Sequence, residues 1–323
     1  MAITSGVVGA TRRARDLTWL VALGAALWGT DGLFRRTLAT EVSAPTLVFA
    51  EHLVLVILLA PFLPRAIRAF RAADLRSRAA VVAIGVGASA VATTLFTLAF
   101  TIAVRHHDFV TPVVVQHLQP LFAIGGAVLL LGERIRSKFV FFAVPALLGV
   151  WLLAFPSPFD VSVSRSAVVL LALGAAALWA GGTVLGRMVC QGIAPVELTT
   201  LRFAFGLPTA AVIVVLTGNT FWVPDVSSSV AVVGLVLVPS LLALFLYYIG
   251  LRRTAAARAT LAELAFPLTG ALIGIILGRP LTGSQWLGAA VLAVSVTALS
   301  FHEARARSQA VVAAPRPTAA ALR

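Results

Sequence analysis

Apolar positions fall into ten runs along the chain, at residues 17 to 36, 43 to 63, 79 to 103, 109 to 131, 139 to 156, 166 to 187, 194 to 216, 229 to 250, 257 to 278 and 284 to 301. Each is close to the roughly 20 residues that a helix needs to cross a bilayer. Only short polar stretches separate them. The pattern therefore predicts an all-α polytopic membrane protein with ten transmembrane helices and no extramembrane catalytic domain. Residues 1–16 are polar and basic, with Arg12, Arg13 and Arg15 ahead of Leu17. A signal peptide begins this way, but the apolar run continues to about Leu33, past the roughly 7–15 residues of a cleavable core, so an uncleaved first helix is expected. His302 to Arg323 is rich in Ala, Pro and Arg and is expected to form a disordered cytoplasmic tail.

The runs repeat. Leu118 to Ile135, LQPLFAIGGAVLLLGERI, has a second version in Leu264 to Thr282, LAFPLTGALIGIILGRPLT. In both, a proline (Pro120, Pro267) stands inside the run, small residues follow, and the run stops at Leu-Gly before a charged residue, as Gly132-Glu133 and Gly278-Arg279. LVALGAALWG at Leu20 to Gly29 returns as LALGAAALWAGG at Leu171 to Gly182, and Ala44-Pro45 returns as Ala194-Pro195. The offset is roughly 150 residues. Five helices per half is an odd number, so the second half must enter the membrane upside down, which makes an inverted repeat. The expected units are 17–156 and 166–301, between a cytoplasmic segment 1–16 and the tail 302–323. A proline inside a membrane helix frees a backbone carbonyl that only buried protein or a water-lined cavity can satisfy. Two such breaks at matching places point to a transporter's binding site.

These proline helices, together with LTGSQWLG at Leu281 to Gly288, resemble the drug/metabolite transporter superfamily, specifically its ten-helix EamA branch. In that family each half carries a proline helix closing on Gly-Glu, and the LTGSQWLG stretch resembles the lead into its last helix. The chain departs from the pattern at Arg279, where the family usually has Glu, and by one residue fewer between proline and glycine in the second copy. The resemblance implies a carrier of small polar metabolites, commonly an exporter of amino acids or related compounds, and a buried arginine at the position of Arg202.

Composition agrees with a membrane protein. Hydrophobic residues make up 60%, charged residues 11%, and the mean hydropathy is +1.00, whereas soluble domains carry roughly 25% charge. The net charge of +13 does not indicate nucleic acid, because the basic residues lie in short loops rather than on one soluble face. With the N-terminus inside, about 19 of the 25 Lys and Arg fall in cytoplasmic segments, while Arg35, Arg36, Arg105, Arg165 and Arg279 fall outside. That bias predicts a multi-pass inner (plasma) membrane protein with both termini cytoplasmic. The one cysteine, Cys190, permits no intrachain disulfide and no cysteine metal cluster.

Charged groups at membrane depth are costly and usually face a cavity or a partner. Asp31, Glu51, His52, Gln116, His117 and Gln119 are expected in one outward-side polar cluster next to Pro120. It would be a proton-titrating or substrate-contacting site, or a structural set in which Glu51 and His52 pair with Arg35 and Arg36. By the repeat, Arg202 and Glu263 fall in the inner half near Pro267, placed to pair as a gate or as a clasp. Trp28 and Trp179 are equivalent and near the midplane, where they would stack on a planar substrate or pack. Ser89, Thr93, Thr94, Thr97, Ser240 and Tyr247 would line the same path or bond their own backbone. His106, His107 and Asp108 sit in a short outer loop with no second ligand set, so a solvated loop is expected and no metal.

No cofactor is expected, and H-E-x-x-H, P-loop, G-x-G-x-x-G and G-x-S-x-G signatures are absent, which argues for a secondary carrier over an ATPase or an enzyme. The expectation is alternating access around a central site. The partners are a small-molecule substrate, the bilayer and, through the acidic residues and histidines, protons; the assembly is a monomer or homodimer. The rival readings are a lipophilic drug or natural-product efflux carrier and, from another class, a membrane enzyme acting on a lipid-linked substrate.

Overall fold

The computed structural model describes residues 17–105, 111–116, 118–132, 137–154, 157, 166–276, 278, 281–295 and 297–298. They form helices, and no strand occurs among them. The first half holds α1 (Thr18–Trp28), α2 (Asp31–Glu41), α3 (Ala44–Leu59), α4 (Leu63–Ala72), α5 (Leu75–Ala83), α6 (Ala92–Arg105), α7 (Thr111–Gln116), α8 (Gln119–Leu131) and α9 (Ser137–Ala154). The second holds α10 (Ser166–Val189), α11 (Pro195–Leu216), α12 (Val226–Leu235), α13 (Ala243–Leu251), α14 (Ala256–Ala262), α15 (Ala265–Ile276) and α16 at 283–295. Five continuous helical stretches among the described residues are long and apolar enough to cross a membrane: Ala44–Ala72, Leu75–Ala103, Ser166–Val189, Pro195–Leu216 and Val226–Leu251. The protein is thus an all-helical, polytopic membrane protein.

The repeated motifs have local physical causes. Pro45 and Pro195 sit in the first turn of α3 and α11, where the missing N–H costs nothing. Ser43 caps α3 by accepting from the Thr46 amide, and Glu197 reaches back to accept from the Ala194 amide. Gly132 and Gly278, the glycines ending the two proline motifs, have φ of 62° and 76°. A side chain resists that left-handed turn, which stops each helix. The fourth and ninth runs each break beside the proline, between α7 and α8 and between α14 and α15.

Three features differ from the sequence reading. The first run is two helices, broken at Gly29–Thr30, and Gly29 lies against α15 there: a Cβ would meet the Thr269 Cβ at 2.7 Å and the Phe266 carbonyl at 2.8 Å. The second part, α2, continues to Glu41 and carries Arg35 into the interior, not into an outer loop; Arg35 is buried and Arg36 exposed. The third and eighth runs each contain a π-helical segment, Ile84–Val91 and Val236–Leu242. Pro239 in the second lacks the donor that a regular ladder needs.

Packing follows the repeat across the two halves. α1 lies along α13 and α15, and the equivalent α10 lies along α6 and α8. α3 packs on α11. α9 crosses α16 where Gly149 and Gly288 meet, a Cβ on Gly288 falling 2.6 Å from the Gly149 carbonyl. Arginines gather on one face of the bundle. Arg65 meets Glu197 at 2.6 Å, Arg76 donates to the Leu130 carbonyl, and Arg187 donates to the carbonyls of Leu251 and Arg252. The other face is joined by Thr46 donating to the Thr220 carbonyl and Gln285 donating to the Leu153 carbonyl.

Candidate functional site

A cavity of about 190 Å³ lies between the halves. The helix irregularities surround it: Trp28 and Asp31 flank the break after α1, Ser89 and Ser240 come from the two π segments, Gln116, Gln119 and Pro120 flank one proline break, and Glu263, Phe266 and Pro267 flank the other. Broken or widened helix turns aim side chains and backbone away from the regular ladder, which is why they recur at functional sites.

Three polar groupings line it. In the first, the Arg35 guanidinium donates from Nε to Asp31 Oδ2 at 2.7 Å and from Nη2 to Oδ1 at 3.0 Å, a two-point fork one turn apart on α2. Arg35 also donates to Thr97 Oγ1 at 2.8 Å and lies 3.6 Å from Glu51 Oε2. Glu51 Oε1 accepts from Ser240 at 2.5 Å. In the second, His52 meets the Val48 carbonyl through Nδ1 at 2.8 Å and Ser89 through Nε2 at 2.8 Å. A carbonyl only accepts, so Nδ1 carries a proton, and in the neutral ring Nε2 accepts from the serine. Arg202, from α11, donates to Tyr248 Oη at 3.1 Å and to the Ala88 carbonyl at 3.0 Å. In the third, Glu263 accepts from Gln119 at 2.8 Å, Tyr247 at 2.7 Å and Thr183 at 3.2 Å.

Aromatic walls close the space from both halves. Trp28 packs on Tyr247 with ring centroids 4.9 Å apart, and Trp179 packs on Phe96 at 5.3 Å. Three buried polar atoms on the lining, Glu51 Oε2, Gln116 Oε1 and Arg202 Nε, have no hydrogen-bond partner. Buried groups of that kind are normally satisfied. Among the charged residues on the wall, three carboxylates (Asp31, Glu51, Glu263) face two guanidinium groups (Arg35, Arg202).

The structure brings Trp28, Asp31, Glu51, His52, Gln116, Gln119, Pro120, Trp179, Arg202, Glu263 and Pro267 to one cavity wall. His117 lies outside the described residues, as do His106, His107, Asp108, Glu133 and Arg279. The pairing expected of Arg202 and Glu263 is not formed: two adjacent tyrosines of α13 intervene, Tyr248 taking Arg202 and Tyr247 taking Glu263. His52 does not pair with an arginine, because a carbonyl and a serine occupy both ring nitrogens. Trp28 and Trp179 each pack on an aromatic ring from the other half, Tyr247 and Phe96.

Comparison with known proteins decides the family. The EamA-like transporter family matches residues 17–155 and again 166–301. The chain belongs to the EamA-like transporter family. It is 29% identical over 296 residues to the riboflavin transporter ImpX of Fusobacterium nucleatum, covering 87% of this chain and 96% of that one. It is also 29% identical over 195 residues to the uncharacterized transporter YwfM of Bacillus subtilis, covering 56% of this chain and 63% of the relative. A solved crystal structure superposes with a TM-score of 0.69 at 22% identity, covering 90% of this chain and 99% of the other, a likeness of fold.

In this EamA-like transporter several lining residues escaped the sequence reading. Arg35 was read as a partner of Glu51 near the outer interface, and its ion pair with Asp31, one turn earlier at the spacing that suits one, was missed. Phe96, Phe203 and Phe266 carried no signal in a chain so rich in apolar residues. Pro239 inside an apolar run was a legible sign of an irregular helix next to Ser240.

Proposed function

We propose that this EamA-like transporter is a secondary carrier that moves a planar aromatic metabolite with a polar edge, the two halves rocking so that the central cavity opens to each side in turn. The observation that carries the reading is the pairing of aromatic walls from opposite halves, Trp28–Tyr247 and Trp179–Phe96, around buried polar groups. A flat ring system stacks between such walls, while Arg202 and Gln116 have unpaired atoms for its polar edge. The similarity to a protein named a riboflavin transporter supports the same substrate class. The expectation of an amino acid or related compound thereby narrows to aromatic compounds, and a lipophilic drug fits poorly beside this many buried charges.

A cavity of about 190 Å³ is smaller than the roughly 300–1,000 Å³ that takes drug-sized ligands, so a multi-ring substrate requires the halves to part. On this reading the arginine-rich face is cytoplasmic, as the positive-inside rule favours, and both termini lie inside. Net direction, export included, then follows the gradients.

The test is uptake by proteoliposomes of labelled riboflavin, tryptophan, serine and a cationic dye. Saturable movement of riboflavin or tryptophan, lost in Trp28→Ala and Trp179→Ala while serine is excluded, supports the reading. Saturable serine movement that survives both substitutions sinks it. Dye movement alone shifts the assignment to drug efflux.

A further inference from the structure

Glu263 stands apart from the other buried charges. It is 8% exposed and lies at the turn between α14 and α15. Asp31 and Glu51 share Arg35; Glu263 has no cationic partner among the described residues. Its donors are an amide and two hydroxyls. A buried carboxylate without a counter-charge is costly in a membrane interior and is relieved by a proton or by a bound cation.

The hydrogen-bond geometry favours the proton. Glu263 Oε1, Tyr247 Oη and Thr183 Oγ1 form a triangle with sides of 2.7, 3.0 and 3.2 Å. Two hydroxyl protons serve those three contacts, and a proton on the carboxyl supplies the third. On the other oxygen, the Gln119 amide donates at 2.8 Å in the charged state; turned over, it presents its carbonyl oxygen to accept from a carboxyl O–H. The same side chains thus accommodate either state without repacking.

The position of Glu263 connects that switch to transport. Gln119 stands at the helix break of the first half and Glu263 at that of the second, so their bond joins the two halves at both breaks. Tyr247, the other principal partner, packs against Trp28 with ring centroids 4.9 Å apart and the planes tilted by 45°.

We propose that Glu263 takes up and releases a coupling proton, and that Gln119 and Tyr247 transmit its state to the opposing half and to the aromatic wall. This rests on the cavity being the transport site. The step is simple: a proton from water on the open side forms an O–H on the Glu263 carboxyl, and that bond breaks to water when the site opens on the other side. No other covalent bond changes.

The surroundings carry few competing charges. From α13 the titratable neighbour is Tyr247; α1 presents Trp28, α8 presents Gln119, and the described side chains of α9 include no charged group. On α10, Arg187 lies one turn beyond Thr183 but donates to the Leu251 and Arg252 carbonyls. Arg258 lies on α14 itself, about 140° round the helix from position 263 at 100° per residue. Across the cavity, Asp31, Arg35, Glu51, His52 and Arg202 hold the partners already given.

Labelling with dicyclohexylcarbodiimide, an apolar reagent selective for protonated carboxyls, tests this without a substrate. Full-length protein in proteoliposomes is treated across a pH series and the modified residues are identified by mass spectrometry. Modification of Glu263 should fall by about tenfold per pH unit once the carboxyl deprotonates, with Asp31 and Glu51 modified far less. Modification of Glu263 that is absent, or that stays constant from acid to alkaline pH, would overturn the proposal. In a second arm, an inward proton gradient should accelerate riboflavin uptake by the wild type and not by Glu263→Gln, purified as a monodisperse species; equal acceleration in both would also overturn it. If riboflavin does not move in the wild type, the substrate assignment has failed, and the labelling arm still decides the proton site.

Discussion

Arg35→Met should destabilise the protein sharply. Arg35 is 5% exposed and its guanidinium holds Asp31 by a two-point fork, Thr97 by a hydrogen bond and Glu51 at 3.6 Å. Its removal leaves two carboxylates and a hydroxyl facing one another in the interior. Removing one partner of a buried ion pair costs about 3–5 kcal/mol, and the second carboxylate left beside the first puts this case toward the upper end. The assay is reversible denaturant unfolding of the purified protein in mixed micelles, followed by tryptophan fluorescence. The triple variant Asp31→Asn, Glu51→Gln, Arg35→Met carries no stranded charge and should recover most of the loss. A single variant that loses under about 1 kcal/mol, the range of an exposed pair, or a triple variant no more stable than the single one, would refute the electrostatic reasoning.

Other perturbations have equally definite outcomes. Gly288→Ala puts a Cβ 2.5 Å from the Leu153 amide nitrogen and 2.6 Å from the Gly149 carbonyl, so α9 and α16 must separate; a loss of about 1–3 kcal/mol from overpacking is expected in the same unfolding assay. Tyr248→Phe removes the hydroxyl that accepts from Arg202 and leaves a second guanidinium nitrogen unpartnered beside Nε, with an expected cost of about 1–3 kcal/mol. Asp225 caps α12 by accepting from the Ser228 amide and hydroxyl, and those bonds hold its carboxyl below the usual range. The cap's contribution is therefore full above the ordinary carboxylate value and is lost as pH falls through the lowered one. Hydrogen exchange at amides 226–229 should accelerate, relative to the unstructured rate, only in acid for the wild type and already at neutral pH for Asp225→Ala.

The sequence expresses the fold more openly than the site. Ten hydrophobic runs, two proline helices ending in glycine and two Ala-Pro helix starts each follow from local chemistry, and the glycines at 132 and 278 have the left-handed φ that such ends require. Which residues approach the cavity was also largely legible, because polar groups in a membrane helix have few places to go. Partner choice was not. Arg202 and Glu263 have depths that suit an ion pair, yet Tyr247 and Tyr248, neighbours on one helix, take one each. Linear depth carries no information about which side chain lies between two others. Arg35 was read as a partner of Glu51 at the outer interface, but not as buried or as bound to Asp31, because α2 runs on past the apolar run to Glu41. The π segments leave no mark on hydropathy, and only Pro239 hinted at one of them.

Sided accessibility of the cavity tests alternating access most directly. Cys190 is the sole cysteine and is buried, so Cys190→Ala gives a background on which Thr93→Cys places one thiol on the cavity wall. A membrane-impermeant maleimide is then added from each side of oriented vesicles, with and without riboflavin. Rocking of the two halves about a central site requires labelling from both sides, with the ratio shifted by riboflavin. Labelling from one side under every condition would contradict a cavity that opens alternately to both.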